Sequence, residues 1–291
     1  MPGATIFAPD RVTIVGVLNA TPDSFSDGGR LLDASGAVDV PALLRAAEAM
    51  LAEGADVLDV GGESTRPGAE TVPAAEEIRR VAPAIAALAK RFHARISVDT
   101  RKAEVAAAAL DAGASLVNDV SGLRFDPSLA ALAARRGAGL VLGHLRGEPA
   151  TMQCDVRFAD VVREVGDELA ESVARARAAG VPAEAIAVDP GIGFGKRLAD
   201  NLALLANVGA LRARVGQPVL VGPSRKRFLG EITGDPVEAR DVATHAACAV
   251  AVFQGADAVR VHDVAGARRA ALLARALRAA RRDAAAGGPA A

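Results

Sequence analysis

The sequence predicts an α/β protein that folds as a single-domain (β/α)8 barrel, the TIM-barrel architecture. Short apolar runs alternate with longer runs rich in alanine, leucine, arginine and glutamate, and the alternation repeats eight times without a long insertion. Alternating strands and helices favour a parallel sheet, and eight such units favour a closed barrel. An open doubly wound sheet is the alternative, which the count of eight and the lack of a dinucleotide-binding fingerprint disfavour.

The strands are predicted from apolar runs that end in polar or glycine-rich segments. They occupy residues 12–19, 55–61, 95–99, 115–119, 139–144, 185–189, 218–222 and 256–262. The helices are predicted at residues 42–53, 74–92, 103–112, 128–136, 159–179, 198–215, 237–254 and 264–282. Glycine, which favours a left-handed helix end, follows six helices at Gly54, Gly113, Gly137, Gly180, Gly216 and Gly255. We expect one barrel domain over residues 1–283 and a low-complexity C-terminal tail over residues 284–291.

Composition describes a globular chain with an ample core and no global electrostatic attraction for nucleic acid. Hydrophobic residues make up 51% of the chain, and the formal net charge is -1. A protein that binds the phosphate backbone nonspecifically carries a basic field, which this chain lacks. The start of the chain has no apolar signal region, and no apolar stretch is long enough to span a bilayer. We therefore expect a cytoplasmic protein that does not bind membranes.

All eight predicted strands end in charged or hydrogen-bonding side chains. In a barrel, the carboxyl ends of the strands converge on one face, where catalytic groups lie. Helix N-caps need only Ser, Thr, Asp or Asn, so capping does not explain the arginine, lysine and histidine at these positions. The polar strand ends are Asn19; Glu63, Ser64, Thr65 and Arg66; Asp99 and Thr100; Asn118 and Asp119; His144; Asp189; Ser224, Arg225 and Lys226; and Arg260, His262 and Asp263.

Three of these groups indicate a neutral heterocyclic ligand. Asp99, Asn118 and Asp189 offer hydrogen-bond acceptors at neighbouring strand ends. A ring with several N–H donors would satisfy them, and an aminopyrimidinone edge can place two parallel N–H groups on one carboxylate.

Other strand ends indicate an anionic group at the mouth of the barrel. Arg66, Lys226, Arg260 and His262 supply cations, and the planar fork of arginine suits phosphate. Asn19 adds an amide oxygen, which suits a hard cation such as Mg²⁺ that bridges a diphosphate.

The glycine-rich run DPGIGFGKR is not a phosphate-binding P-loop. A P-loop needs glycine where Pro190 stands, and serine or threonine where Arg197 stands. No histidine pair has zinc spacing, and Cys154 and Cys248 have neither metal nor redox spacing.

The chain resembles the dihydropteroate synthases, a pterin-binding family of folate biosynthesis. The resemblance runs from residue 16 to residue 264 in the order of the family's motifs. It is carried by GVLNATPDSFSDGG, DVGGESTRPGA, SVDTRKAEVA, NDVSG, HLRGEPATMQ, DPGIGFGK, GPSRKRFLG and VRVHDV. One departure is Gly143, where the family usually places a methionine that packs on the pterin.

The resemblance implies a transferase that uses Mg²⁺ and that sulfonamides inhibit. Its substrates would be 6-hydroxymethyl-7,8-dihydropterin diphosphate and 4-aminobenzoate, and its products 7,8-dihydropteroate and diphosphate. It also implies a (β/α)8 barrel and a homodimer. A pterin-binding methyltransferase domain is a second hypothesis, although it would lack ESTRPG and PSRKRFLG. A noncatalytic barrel that binds pterin or a protein partner is a third.

The resemblance further implies a role for individual side chains. The pterin pocket would contain Asp99, Asn118, Asp189 and Lys226. Diphosphate and metal would bind at Asn19, Arg66, Arg260 and His262, with Asn19 as the metal ligand. The 4-aminobenzoate pocket would contain Thr65, Pro67, Phe194 and Ser224. We expect Lys226, Arg260, Asp99 and Asp189 to be catalytic, and the loops at residues 21–30 and 64–71 to close over the mouth.

Some charged residues near these motifs are expected to have no direct role in binding or catalysis. Arg101 and Lys102 open a helix, so surface positions are expected for both. Arg225 is expected in a solvated loop, and His144 is expected to have a structural role behind the site. The sequence leaves the role of Lys196 open.

Overall fold

The fold is a closed parallel sheet of eight strands surrounded by helices, as the sequence predicts. The computed structural model describes residues 5–8, 10–21, 31–33, 36–64, 69, 71–148, 151–154 and 156–285. Its strands are β1 (Thr13–Asn19), β2 (Val57–Gly61), β3 (Arg95–Asp99), β4 (Leu116–Asp119), β5 (Gly139–Gly143), β6 (Ile186–Asp189), β7 (Leu220–Val221) and β8 (Ala258–Val261).

Every strand pairs in parallel with its neighbours, in the order β6-β5-β4-β3-β2-β1-β8-β7. A parallel bridge between Val188 and Val219 joins the two edges of this sheet, so that it closes into a barrel. The alternative of an open doubly wound sheet is thereby excluded.

Ten α-helices are present among the described residues. They are α1 (Val40–Glu53), α2 (Ala74–Arg91), α3 (Ala103–Asp111), α4 (Ser128–Arg136), α5 (Val161–Ala178), α6 (Leu198–Ala206), α7 (Val208–Val215), α8 (Arg227–Thr233), α9 (Asp241–Gln254) and α10 (Val264–Ala285). All six glycines predicted at helix ends have positive φ, from 62° at Gly137 to 119° at Gly255.

Three helical predictions differ from the structure. The single helix predicted over residues 198–215 is broken at Asn207, whose backbone leaves the helical region and whose side chain donates to Ala203 O at 2.8 Å. Residues 237–239 form a separate 3-10 turn, and α9 begins at Asp241. The seven-residue helix α8 was not predicted, because so short an element carries no apolar period.

The barrel interior is apolar at the end opposite the polar strand ends. Ile6 and Phe7 are buried there against strand residues such as Val15 and Leu220. Ile6 is fixed by two main-chain contacts, its N–H donating to Glu184 O at 2.9 Å and its carbonyl accepting from Arg95 Nη1 at 2.6 Å. This segment closes the floor of the barrel, so the polar groups face solvent only at the mouth.

A second, larger apolar core lies between the strands and the surrounding helices. None of the helices in the described part of the chain has the length and apolar character needed to cross a membrane.

Candidate active site at the barrel mouth

Four neighbouring strands end at one level of the barrel. The strand register places Asn19 beside Gly61, Gly61 beside Asp99, and Asp99 beside Asn118. A Cβ atom on Gly61 would lie 3.6 Å from Asn19 Oδ1 and 3.8 Å from Asp99 Oδ2. The glycine therefore leaves a space above β2 that the oxygens of Asn19 and Asp99 face from opposite sides.

A guanidinium shared by two carboxylates lies below this rim. Arg260 on β8 donates from Nε to Asp59 Oδ2 at 2.6 Å and from Nη2 to Asp99 Oδ2 at 2.7 Å. Asp59 Oδ2 also accepts from Asn118 Nδ2 at 3.1 Å. We call Asp59, Asp99 and Arg260 the mouth cluster, which holds one cation for two carboxylates.

Sequence reasoning missed Asp59. It lies inside β2 rather than at its end, and its side chain is 1% exposed. The sequence did contain one signal for Asp59, a lone carboxylate in the middle of an apolar strand. Aspartate is almost never fully buried without a partner, so this position indicates a paired side chain inside the barrel.

The mouth cluster holds Asp99 close to its ionisation point at neutral pH. Burial raises the pKa of Asp99 to about 7, and the carboxylates of Asp59, Glu77 and Asp119 add to this rise. Arg260 acts in the opposite direction but does not cancel them. Both forms of Asp99 are therefore populated near pH 7 before a ligand binds.

The opposite wall of the mouth carries an aspartate and a lysine. Asp189 at the end of β6 accepts from Gly191 N through Oδ1 at 2.7 Å, and burial raises its pKa against the effect of Lys226. Lys226 Nζ donates to Ile192 O and lies 4.0 Å from the centre of the Phe194 ring. Burial lowers the pKa of Lys226 to about 8, against the opposing effect of Asp189.

This wall is continuous with the mouth cluster because Gly222 separates them without a side chain. A Cβ on Gly222 would lie 3.6 Å from Arg260 Cβ and 3.8 Å from Asp189 Oδ2. The structure thus brings Asn19, Asp99, Asn118, Asp189, Lys226 and Arg260 together at one rim.

Ser224 and His262 form a pair beside this wall. The Ser224 hydroxyl accepts from His262 N at 3.2 Å and lies 2.8 Å from His262 Nδ1. Donation from this hydroxyl to Nδ1 leaves Nε2 of a neutral imidazole as the N–H donor.

Arg225 is not the solvated loop residue that the sequence suggested. Its guanidinium donates to both oxygens of Asp241, at 2.7 Å and 2.8 Å, and its main-chain N–H donates to Thr244 Oγ1 at 3.0 Å. With a φ of 55°, it turns the chain between β7 and α8.

Lys196, whose role the sequence left open, is buried behind the Phe194 loop. Its Nζ lies 3.0 Å from His144 Nδ1 and donates to Phe194 O at 3.0 Å. His144 Nε2 lies 3.1 Å from Glu168 Oε2. Burial and the Lys196 charge lower the pKa of His144 to about 4, and burial lowers that of Lys196 to about 7. These contacts hold the loop that carries Phe194 from behind.

Arg101 and Lys102 were expected on the surface, and this is wrong. Their exposed fractions are 4% and 8%. Lys102 Nζ donates to Glu63 and, at 2.6 Å, to Glu77 Oε2, and Arg101 Nε donates to Glu63 Oε1 at 3.3 Å. We call Glu63, Glu77, Arg101 and Lys102 the buried cluster. Its two cations face these two buried carboxylates, and Arg101 Nη1 also donates to the exposed Glu148 Oε2 at 2.6 Å.

Gly143, where a methionine is usual in the resembling family, has no room for a side chain. A Cβ there would lie 2.7 Å from both Val120 Cα and Val120 O. The main chain after β4 therefore fills this side of the barrel. Three predicted site residues, Thr65, Arg66 and Pro67, lie outside the described residues, as do most of the loops at residues 21–30 and 64–71.

The donor set for a metal ion is small. Within the described ranges, no group of three or more His, Cys, Asp or Glu side chains is arranged to hold one. Asn19 Oδ1 instead faces the space above Gly61. This fits Mg²⁺, which commonly takes one or two protein oxygens and completes its shell with substrate phosphates and water.

Comparison with known proteins shows which family the chain matches. The model of the pterin binding enzyme family matches residues 15–262. The dihydropteroate synthase of Synechocystis sp. is 46% identical, covering 90% of this chain and 89% of its own length.

Two solved structures extend the comparison. The Yersinia pestis dihydropteroate synthase, in a sulfonamide drug complex, superposes with a TM-score of 0.86 at 40% identity, covering 93% of this chain and 96% of its own. The Thermus thermophilus dihydropteroate synthase, in complex with 4-aminobenzoate, has a TM-score of 0.81 at 44% identity, covering 94% and 100% of the two chains.

Proposed function

The chain belongs to the pterin-binding enzyme family, and we propose how its barrel mouth performs the dihydropteroate synthase reaction of its relatives. The chain is a transferase of folate biosynthesis that joins 6-hydroxymethyl-7,8-dihydropterin diphosphate to 4-aminobenzoate, with release of diphosphate. The observation that carries the proposal is the single rim on which acceptor oxygens and a clamped arginine meet.

The pterin binds between Asn118 and Asp189. Both side chains offer acceptor oxygens, and a carboxylate can accept two parallel N–H bonds from an aminopyrimidinone edge. The Lys226 ammonium group lies over the Phe194 face and close to the buried Asp189 carboxylate. From this position, it donates to the ring oxygen and nitrogen of the pterin. Asp99 lies beside Asn118 and completes the acceptor set.

The diphosphate lies above Arg260, at the outer side of the mouth. Arg260, together with Arg66 outside the described residues, supplies positive charge where the leaving group becomes more negative, and His262 donates a hydrogen bond to it from Nε2. Asn19 would hold Mg²⁺ through its amide oxygen. Bound there, the metal would supply charge stabilisation for the leaving group.

The reaction breaks the bond between the pterin methylene carbon and the diphosphate oxygen, and the electron pair leaves with diphosphate. Positive charge develops on the methylene and spreads into the dihydropterin ring, where the carboxylates of Asp99 and Asp189 favour it. The amine nitrogen of 4-aminobenzoate forms the new C–N bond and then loses a proton to solvent. No covalent bond to the enzyme is needed, so Lys226 remains a hydrogen-bond donor.

The 4-aminobenzoate molecule lies on Phe194, with its carboxylate near Ser224; Thr65 and Pro67, which the resemblance assigns to this subsite, lie outside the described residues. The Ser224 hydroxyl is already oriented by its contacts with His262. Sulfonamides, which imitate this substrate, should therefore inhibit competitively against 4-aminobenzoate and not against the pterin. A noncompetitive pattern would remove Phe194 and Ser224 from this subsite.

The activity is tested by measuring diphosphate release from purified protein with both substrates and Mg²⁺. We expect release that requires 4-aminobenzoate and yields dihydropteroate in equal amount. Folded protein that binds the pterin but releases no diphosphate would reduce the function to pterin binding alone.

We also place a homodimer and a cytoplasmic location within this proposal. Helices α9 and α10 pack together and carry exposed apolar side chains, with Val242 79%, Val250 48%, Leu273 63% and Leu277 54% exposed. A second copy of the chain would cover such a surface. A Leu273→Glu, Leu277→Glu variant should then be monomeric in light scattering, whereas an unchanged mass would refute this interface.

The free thiols of Cys154 and Cys248 suit a reducing compartment, which supports the cytoplasmic location.

A further inference from the structure

Asp59 is a carboxylate inside an otherwise apolar part of the barrel. It lies one layer below the rim, where a cavity of about 10 Å³ is lined mainly by apolar residues such as Val57, Leu116 and Val141. Its Oδ1 accepts no hydrogen bond from any residue that the structure describes. A buried ion destabilises a fold unless its partners compensate, and an apolar side chain of similar size often serves stability better. Packing alone therefore does not account for an aspartate here.

The first consequence of Asp59 concerns the orientation of the Asn118 amide. An ionised carboxylate only accepts hydrogen bonds, so the Asn118 group 3.1 Å from Asp59 Oδ2 is the NH₂. The amide oxygen then points away from Asp59, which makes it the acceptor that Asn118 offers to a ligand. Without the carboxylate, the amide could turn over and present a donor to the ligand instead of an acceptor.

The second consequence concerns the Arg260 guanidinium. Asp59 holds its Nε, and Asp99 holds its Nη2. Two contacts on different nitrogens fix the plane of the group, which leaves Nη1 directed away from both carboxylates. Losing the Asp59 contact would leave one anchor, about which the guanidinium could rotate.

We propose that Asp59 is a positioning residue with two effects. Through Asn118, it makes the pterin subsite offer a hydrogen-bond acceptor instead of a donor. Through Arg260, it fixes the direction in which the guanidinium faces the diphosphate. The inference rests on the proposed function, because it concerns the same two subsites. Asp59 lies beneath them and touches neither substrate.

Calorimetry on the purified full chain tests this with Asp59→Asn, which keeps the shape of the side chain and removes its charge. We expect the affinity for 6-hydroxymethylpterin to fall roughly tenfold or more, because one buried polar group becomes mismatched. The affinity for inorganic diphosphate should also fall. In steady-state assays, the aminobenzoate substrate should keep its KM within about twofold, since a distant site without shared partners is little affected. Ser97→Ala is the matched control, since Ser97 lines the same cavity on the neighbouring strand and should leave all three constants unchanged.

A double-mutant cycle with Asn118→Ala separates positioning from general damage to the barrel. If Asp59 acts through Asn118, the losses in pterin affinity are not additive, because the second substitution removes a group already misdirected. Additive losses, or an equal loss of all three ligands with a lowered Tm, would overturn the proposal. If Asp59→Asn does not fold, the smaller Asp59→Ser is measured in the same cycle.

The pH profile gives a readout that a purely structural role would not move. Asp99 is faced by Arg260, Asp59, Glu77 and Asp119, and removing the Asp59 charge takes away one of the carboxylates that raise its pKa. The acid limb of kcat/KM should therefore move to lower pH in Asp59→Asn. If the acid limb of Asp59→Asn does not move and its pterin affinity stays within twofold of wild type, the inference is refuted. If the wild-type protein releases no diphosphate, the proposed function is refuted instead.

Discussion

The mouth cluster and the buried cluster use the same kinds of side chain for different ends. In the mouth cluster, one arginine faces two aspartates, and the Arg260 side chain keeps 21% of its surface exposed. In the buried cluster, two cations face Glu63 and Glu77, and the exposed fractions of these four side chains lie between 1% and 10%. Arg101 also pairs at 2.6 Å with Glu148, a carboxylate at the surface that is 62% exposed. The mouth cluster thus has one cation for two carboxylates beside the barrel mouth, whereas two cations serve the two buried carboxylates of the other cluster and one more at the surface.

This difference teaches how to separate a site from a structural ion network. A network with matched charges needs no further ligand, because its ions compensate one another. An open cluster with unmatched charge holds polar groups ready for a ligand, and burial in this one raises the pKa of Asp99 to about 7. Charge balance and access to solvent therefore identify the site better than the number of ionisable residues does.

The largest expected effect is on stability, in the buried cluster. Lys102→Met leaves the carboxylates of Glu63 and Glu77 without their shared cation, which should lower the free energy of unfolding by about 3–5 kcal/mol. Burial already raises the pKa of Glu77, and losing Lys102 raises it further. The variant should therefore recover part of its deficit as the pH falls and Glu77 takes up a proton.

Urea unfolding at pH 8 and pH 5 measures this deficit, with Lys90→Met on the exposed face of α2 as the control. Activity per folded molecule should change little. A variant that is as stable as wild type at pH 8 would show that the buried cluster does not stabilise the fold.

The next effect is on catalysis, at the mouth. Lys226→Ala should lower kcat/KM by roughly 10²- to 10³-fold, because it removes a donor to the pterin and leaves the buried Asp189 charge without its cation. Steady-state kinetics measure it, and Arg227→Ala is the matched control, since the neighbouring Arg227 side chain is 84% exposed. Wild-type turnover in Lys226→Ala would exclude the pocket as assigned.

A smaller effect tests the shared guanidinium. Arg260→Lys keeps the charge but loses the fork that bonds Asp59 and Asp99 separately. Diphosphate affinity should fall roughly tenfold, as expected for one lost charge-assisted hydrogen bond, with much less change for 4-aminobenzoate. Calorimetry with each ligand measures the two losses, and equal losses would contradict a diphosphate role for Arg260.

The smallest effect is the pH dependence of the wild-type enzyme. Ionised Asp99, with a pKa of about 7, and protonated Lys226, with a pKa of about 8, should give a bell-shaped profile of kcat/KM between these values. Activity falls at low pH as Asp99 is protonated, and at high pH as Lys226 loses its proton. Lys226→Arg should abolish the alkaline limb, and a limb that persists would assign it to another group.

Much of the fold followed from local pattern. The bounds of β3 and α4 agree with prediction to the residue, because apolar period and flanking glycine act within a few residues. Helix α8 was missed because so short an element carries no apolar period, and the break at Asn207 was missed because it depends on one side chain, which donates to Ala203 O. For the candidate site, strand-end position predicted that Asn118 and Asp189 lie at the rim, as they do, whereas Asp59 lies mid-strand, where sequence alone does not tell which way a residue faces.

The sequence by itself determined the alternation of strands and helices, the ends of the strands and the chemical types placed there. These features depend on residues close together in the chain, where propensity, periodicity and turn chemistry act. Only the tertiary structure decided which distant charges meet. Closing the barrel set Arg260 between Asp59 and Asp99, joining β8 to β2 and β3 across most of the chain, and it set Lys102 against Glu63 and Glu77. Ion pairing depends on distance in space and on exclusion of water, and the closed sheet supplies both.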